Sequence, residues 1–427
     1  MPSVLSSLTG LLRRRATTAV IGQATMALAG LTLQVAAARL LGAGGLAVFS
    51  LVYGALVLVT AVCSGMVGDS LTVLDRHDRA VRAGLHVWTV LVSAAAGLAG
   101  ALAALVTDAV PVWAGLLLAP ACAAFVVEDT LRRLLMATGR YSALPVVDAT
   151  SLVGALAALV LCGLAGGVTL SSFVVALLAG QVSAAVVAWW LLPAAERPAG
   201  PWRRPGLRTV ADFGVWRAAA QTVRPGSLTL LRLLLVGTVG ALAYGPLEAA
   251  RVYTAPMLTL VAGIASFLLP HFVGLRDRPL PDSLRVADRA SLGLVAGIAT
   301  LGVAALAALP WLGPALTGGG YDVPVAAVAG WTVYAACAAL LLPYASLSSV
   351  HGEQRRVLAL RAVELVSLGG VAALVLVAPH AVAWAPFVLA AGPALTALAV
   401  RQSVVVPLVR RGAGRPARRP ARDEVPA

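Results

Sequence analysis

Apolar residues run through the chain in long blocks, and the polar residues collect in short stretches between them. A bilayer core takes about 20 mainly apolar residues per helix. On that measure the pattern predicts twelve membrane-spanning helices. They lie near 16–39, 45–68, 84–106, 112–132, 145–166, 169–193, 211–237, 245–269, 290–310, 323–344, 357–378 and 383–406. Turn residues separate them, at Gly42 to Gly45, at Gly166 with Gly167, and along Pro310, Trp311, Leu312, Gly313 and Pro314. Trp88, Trp113, Trp189, Trp190, Trp216, Trp311 and Trp384 fall toward span ends, as interfacial anchors do. The first apolar run follows Arg13, Arg14 and Arg15 and is far longer than the roughly 7–15 residues of a secretory signal core, so an uncleaved first helix is expected.

Every predicted connection is short. The longest, 194–210, is a basic linker rich in Pro and Gly, and it divides an N-terminal six-helix half, 1–193, from a C-terminal half, 211–406. The remainder, 407–427, is rich in Arg, Pro and Ala, and reads as a disordered tail suited to anionic lipid head groups. A faint repeat links the halves. Gly45, Leu46, Ala47, Val48 and Phe49 open the second span, and Gly240, Ala241, Leu242, Ala243 and Tyr244 open the eighth. The first span carries Gln23 and Gln34, and the seventh carries Gln221. The expected fold is therefore an all-α polytopic membrane protein, with about twelve transmembrane helices in two six-helix halves around a central cavity.

Composition agrees and adds a question. Of 427 residues, 60% are hydrophobic and 12% charged, where a soluble protein carries about 25% charged. The net charge of +14 comes with no lysine; all 32 basic residues are arginine. A nucleic-acid binder sets a basic face on a soluble domain, which this pattern excludes. Twenty-seven arginines lie in the N-terminal segment, in every second connection and in the tail. By the positive-inside rule these regions and both termini are expected to be cytoplasmic, with the chain in the cytoplasmic (inner) membrane.

Five arginines remain inside or at the outer ends of spans: Arg39, Arg217, Arg224, Arg232 and Arg251. An arginine at a helix centre costs about 2.5–3.5 kcal/mol on insertion scales and usually faces a polar cavity. Arg217, Gln221 and Arg224 share one stripe of the seventh span. Pro225 and Gly226 follow Arg224 directly and predict a kink or break in the helix there. Arg217 also lies within snorkelling reach of one end. Arg39 sits at an outer helix end. Arg232, Glu248 and Arg251 fall near the outer ends of spans seven and eight, either as a structural ion cluster or as a gate, with Glu248 the one coupling carboxylate to consider. Asp69, Glu128, Asp129, Asp148 and Asp212 lie near cytoplasmic ends, where pairing with loop arginines is expected. A guanidinium matches phosphate or carboxylate, so an arginine-lined cavity suits an anionic substrate such as a diphosphate head group.

Catalytic and metal signatures are missing. The sequence has no phosphate-loop lysine and no GxSxG, and its five histidines lack ligand spacing. Cys63, Cys122, Cys162 and Cys337 are scattered within apolar stretches and read as small core residues. A non-enzyme without cofactor is expected, with H+ or Na+ as coupling ion left open. Gly163 with Gly167, and Gly293 with Gly297, give GxxxG spacing.

Two short stretches resemble a known family. The first runs Gly22, Gln23 … Ala38, Arg39, Leu40, Leu41, Gly42, then Gly45 to Leu51. The second runs Leu131, Arg132 … Ala137, Thr138, Gly139, Arg140 … Asp148. Together with the span layout they resemble bacterial polysaccharide flippases of the O-antigen type, within the multidrug/oligosaccharidyl-lipid/polysaccharide exporter superfamily. The resemblance implies flipping of a polyprenyl-diphosphate-linked glycan by alternating access for cell-surface polysaccharide, with a polymerase or glycosyltransferases as partners. It implies a substrate-binding cavity role for Arg224, Arg217 and Gln221, and less directly for Arg39. A multidrug exporter of the same superfamily would place acidic residues in the cavity. A major-facilitator transporter would carry a GxxxDRxGRR-like turn, which Asp75, Arg76, His77, Asp78 and Arg79 echo, but with Leu71 where the first Gly belongs. A non-transporting membrane scaffold is the remaining alternative.

Overall fold

A computed structural model describes residues 25–107, 110–197, 204–275 and 278–413. Among these residues the chain is helical throughout, with no strand. The first half comprises α1 (Thr25–Leu40), α2 (Gly42–Cys63), α3 (Arg79–Thr107), α4 (Val112–Ala137), α5 (Leu144–Gly166) and α6 (Leu170–Leu191). The second comprises α7 (Leu207–Val239), α8 (Ala241–Gly274), α9 (Leu280–Thr317), α10 (Val325–Val350), α11 (Gln354–Val377) and α12 (Ala385–Val400). Over its described residues, each predicted span coincides with one helix. Among the described residues nine helices are long and apolar enough to cross a membrane. The chain is a polytopic membrane protein. Of the other three, α1 is short over its described residues, while α7 and α8 hold the intramembrane charges. Gln23, Arg13 to Arg15 and residues 414–427 lie outside the described residues.

Local chemistry sets many helix ends. Thr169 and Ser172 form a capping box at the start of α6. Gly167, at φ 104°, closes α5, and Gly318, at φ 65°, closes α9. Four expectations fail. The run Pro310 to Pro314 is no turn but lies inside α9, which continues to Gly318. Pro225 and Gly226 do not break α7, which is one helix over 33 residues. Packing on α2 holds it on both sides of the proline: Gly65 backs onto Ala218, Gly214 onto Met66, and Gly54 onto Thr229 and Arg232. The departures from α geometry are instead π-turns, Ser64–Gly68 after α2 and Arg401–Val405 after α12. Beyond the second π-turn a helix Val406–Ala413 enters the stretch expected to be disordered. Gly293 and Gly297 face open space and make no close helix contact; tight approaches occur at Gly180 against Ser151 and at Gly302 against Thr332.

The two halves repeat one packing scheme. α2, α3 and α6 pack on α4, and α5 packs on α6; six helices later, α8, α9 and α12 pack on α10, and α11 packs on α12. The first helix of each half crosses over. α7 lies along α2 and α3. α1 is tied to the second half, through Arg39 donating to the Ala315 carbonyl and the Tyr321 hydroxyl donating to Ala38 O at 3.4 Å.

The buried apolar side chains divide unevenly. At the arginine-poor end one cluster spans both halves, joining Phe49, Phe173 and Leu177 to Leu231, Tyr244, Trp331 and Leu389. At the arginine-rich end there are separate clusters. One holds Met66, Leu85, Leu135 and Val210, the other Phe272, Tyr344, Leu347 and Val400.

Candidate functional site

The space left between the two separated clusters is a cavity of about 520 Å³. α7 forms one wall and α10 and α11 the other, with Asp69 of the helical turn Asp69–Val73 and Pro393 of α12 completing it. Its rim, Asp212, Trp216, Gln354 and Arg355, belongs to the arginine-rich end. Arg217, Gln221 and Arg224 all line it, because α7 turns that stripe away from α2.

The charges inside are mixed. Four arginines, Arg217, Arg224, Arg355 and Arg361, face three carboxylates, Asp69, Asp212 and Glu364. Most are paired. Arg217 Nε donates to Asp69 Oδ2 at 2.7 Å, and Gln221 Nε2 donates to the same oxygen at 2.9 Å. Arg361 Nε donates to Glu364 Oε1 at 2.9 Å. Asp212 stands 3.7 Å from Arg208 on the exposed face. Arg355 lies over the Trp216 ring, 5.3 Å from its centre. Arg224 forms no ion pair among the described residues; its neighbour is the phenol of Tyr334, which Arg361 and Glu364 also approach. One guanidinium without an ion-pair partner thus lines the cavity, next to a hydroxyl. Such a group binds an anion with little desolvation still to be overcome.

Arg39 is not part of this cavity. It caps the last turn of α9 through the Ala315 carbonyl, at the opposite end of the bundle. Arg232, Glu248 and Arg251 also lie away from the cavity and come together. Arg251 Nε donates to Glu248 Oε1 at 2.7 Å, and the Tyr244 hydroxyl donates to Glu248 Oε2 at 2.5 Å. Arg232 Nε stands 3.5 Å from Glu248 Oε1. Arg251 Nη2 then donates to Gln34 Oε1 at 2.5 Å, tying α8 to α1. Glu248 is completely buried. The cluster holds two guanidiniums and one carboxylate in a closed end. Nearby, Gly245 of α8 backs directly onto the Ala43 backbone of α2.

Sequence reasoning passed over half of the cavity. Arg355 and Arg361 were counted with the topology arginines, yet both line the wall. Asp69 was expected to pair with a loop arginine; Arg133 is 3.8 Å away, but the shorter bond goes to Arg217. Arg361 and Glu364, three apart across the start of an apolar run, were the available signal. Of the remaining end acids, Asp148 pairs with Arg132 at 3.1 Å, Asp129 with Arg133 at 3.7 Å and Asp212 with Arg208, whereas Glu128 forms no ion pair among the described residues. Asp129 also accepts from the Ser64 hydroxyl.

No family model matches the sequence, and no curated protein matches it. Solved structures do match over nearly the whole chain. A multidrug resistance MATE family transporter of the MOP superfamily aligns in its outward-facing conformation with a TM-score of 0.61 at 13% identity, covering 94% of this chain and 95% of the other. A structure of the inward-facing conformation of a transporter so described aligns with a TM-score of 0.62 at 12% identity, covering 93% and 95%. A MOP superfamily transporter from Pyrococcus furiosus, described as having a binding pocket of reverse polarity, aligns with a TM-score of 0.61 at 13% identity, covering 95% and 96%. This chain thus shares its fold with MATE transporters of the MOP superfamily.

Proposed function

We propose that the protein is a flippase that moves an anionic lipid-linked oligosaccharide, a polyprenyl-diphosphate glycan, across the cytoplasmic membrane by alternating access. The observation that carries this reading is Arg224, a cavity-lining guanidinium near the middle of α7 without a carboxylate partner. The diphosphate sits on Arg224 and Tyr334, the sugars fill the cavity toward the arginine-rich rim, and the polyprenyl chain stays in lipid. The arginine-rich end faces the cytoplasm, where glycosyltransferases deliver the glycan; a polymerase consumes it on the other face. Arg232, Glu248 and Arg251 act as the gate of the closed end. The carboxylate of Glu248 accepts from Tyr244 and Arg251 and has Arg232 as a further ion-pair neighbour, which suits a gate better than a site for a coupling ion. That a neighbour on this fold is described as having reverse pocket polarity supports a change of substrate class on the same scaffold.

A second reading has its own observation. Asp69 and Glu364 share the cavity with the arginines, and carboxylates suit a cationic drug. Reconstituted vesicles separate the two. Arg224→Ala should cut flipping of a lipid-linked glycan at least about tenfold, the scale of one charge-assisted contact of roughly 1.5–3 kcal/mol, with unfolding unchanged. Undiminished flipping in that variant overturns the anion site. Gradient-driven export of a cationic dye, with no glycan flipping, establishes the drug reading instead.

A further inference from the structure

The stripe on α7 offers an anion three donors in a row, but the first two are already taken. Arg217 Nε and Gln221 Nε2, one turn apart, converge on a single oxygen of Asp69. The Arg217 side chain nevertheless remains 42% exposed, so it is open to the cavity on its other side. Gln221 and Arg224 are separated by about 4.5 Å of helix rise. An anion of one phosphate either sits on Arg224 alone, with Asp69 undisturbed, or competes with Asp69 for Arg217 and Gln221. An anion of two phosphates on Arg224 extends to Gln221, and there it meets the Asp69 carboxylate.

Asp69 has somewhere to go. It follows the π-turn Ser64–Gly68, and its other oxygen, Oδ1, already faces Arg133 Nη1 at 3.8 Å. Arg133 in turn donates to the Ser64 hydroxyl at 2.7 Å and stands 3.7 Å from Asp129. The carboxylate would move from one guanidinium to another without losing its ionic partner.

We propose that Asp69 is an internal counter-anion, which holds the Arg217–Gln221 seat while the cavity is empty and yields it to the second phosphate of the substrate by passing to Arg133. The inference rests on the anionic-substrate reading and adds selectivity to it. A carboxylate or a monophosphate only replaces one negative group by another at the seat. A diphosphate fills Arg224 and the seat together, so its extra charge offsets the displaced Asp69. Asp69 is therefore the residue that sets preference for a diphosphate over simpler anions, although it does not itself hold the substrate.

The test is equilibrium binding of inorganic phosphate, inorganic pyrophosphate and farnesyl diphosphate to the full-length protein in nanodiscs. The wild type should prefer pyrophosphate. Asp69→Asn should tighten phosphate binding about tenfold, the scale of removing one competing charge-assisted pair, and should compress the pyrophosphate-to-phosphate ratio. In a background carrying Arg217→Ala and Gln221→Ala the same substitution should change neither affinity. Arg133→Ala, which removes the receiving partner outside the cavity, should weaken pyrophosphate binding several-fold and keeps the proposal falsifiable should Asp69→Asn fold poorly. Unchanged phosphate affinity and an unchanged ratio in Asp69→Asn overturn the counter-anion. If the wild type still binds pyrophosphate and Arg224→Ala abolishes it, the anion site survives that result; no binding by any variant overturns both. Tighter binding of farnesyl diphosphate than of pyrophosphate places the diphosphate on a lipid, and equal binding places it on a free anion.

Discussion

The two ends of the bundle use the same residue types to opposite effect. At the arginine-poor end, one apolar cluster joins both halves, and the Glu248 cluster lies within it, with side-chain exposures of 0% for Glu248, 7% for Arg232 and 11% for Arg251. At the arginine-rich end the apolar clusters part, and the ion pairs stand on a cavity wall, with Arg217 42% and Arg361 24% exposed. In the dry cluster each charge depends on its partner, because nothing else is available to solvate it. In the cavity water or an anion can replace a partner at little cost. An arginine–carboxylate pair is thus a lock at one end and an exchangeable seat at the other, and packing rather than residue identity makes the difference.

The sharpest way to break this comparison is to remove the carboxylate of the buried cluster at the closed end. Glu248→Gln leaves Arg232 and Arg251 buried without a counter-charge and should destabilise the protein by about 3–5 kcal/mol. Chemical unfolding in detergent measures the loss. A variant as stable as wild type would show that water reaches the cluster and that the end is not sealed. Arg224→Ala should by contrast leave unfolding nearly unchanged.

Two glycines on the α2–α7 interface give the next effect. A Cβ at Gly54 would overlap the guanidinium of Arg232, whereas one at Gly226, lower on the same interface, would meet only Leu58 at 3.8 Å. Gly54→Ala should therefore cost about 1–3 kcal/mol through overpacking that pushes a buried guanidinium away from its place beside Glu248. Gly226→Ala should gain up to about 1 kcal/mol of helix propensity. Equal effects at the two positions would mean that the interface is no tighter at the closed end than beside the cavity.

Much of this was legible in the sequence. Twelve apolar blocks gave the helices, and the stripe Arg217, Gln221 and Arg224 fell on the cavity wall, because helical periodicity alone puts these residues on one face. What stayed hidden depends on the arrangement of helices in space. Nothing local shows that α7, though it belongs to the second half by order, packs on α2 and α3, and so nothing places Asp69 against Arg217. Arg361 was hidden for a related reason. It begins an apolar run and so resembles an anchor at the membrane edge, yet α11 packs against α7 and carries it inward, to 3.4 Å from Ala220 O. Prolines misled in the other direction. Pro225, Pro310 and Pro314 looked like breaks but lie within continuous helices, where neighbouring helices can compensate the lost bond. Arg39 shows a further limit: its position at a helix end was evident, but not that the end of α9 would meet it there.

The smallest expected effect lies at the wet rim of the open end. Arg76 Nε donates to Glu196 at 3.1 Å, tying the turn before α3 to the connection that leads into α7. This bond holds the Glu196 carboxyl below its ordinary value, which is about 4.3 in a free chain. The stabilisation is therefore complete above that value and disappears as the pH falls through the lower folded value. At the surface it should amount to about 1 kcal/mol or less. The stability difference between wild type and Glu196→Gln, measured by chemical unfolding at pH 7 and again near pH 3, should shrink on acidification. A difference that persists in acid would mean that Glu196 contributes by packing rather than by its charge. The rim would then resemble the closed end more than the pair geometry implies.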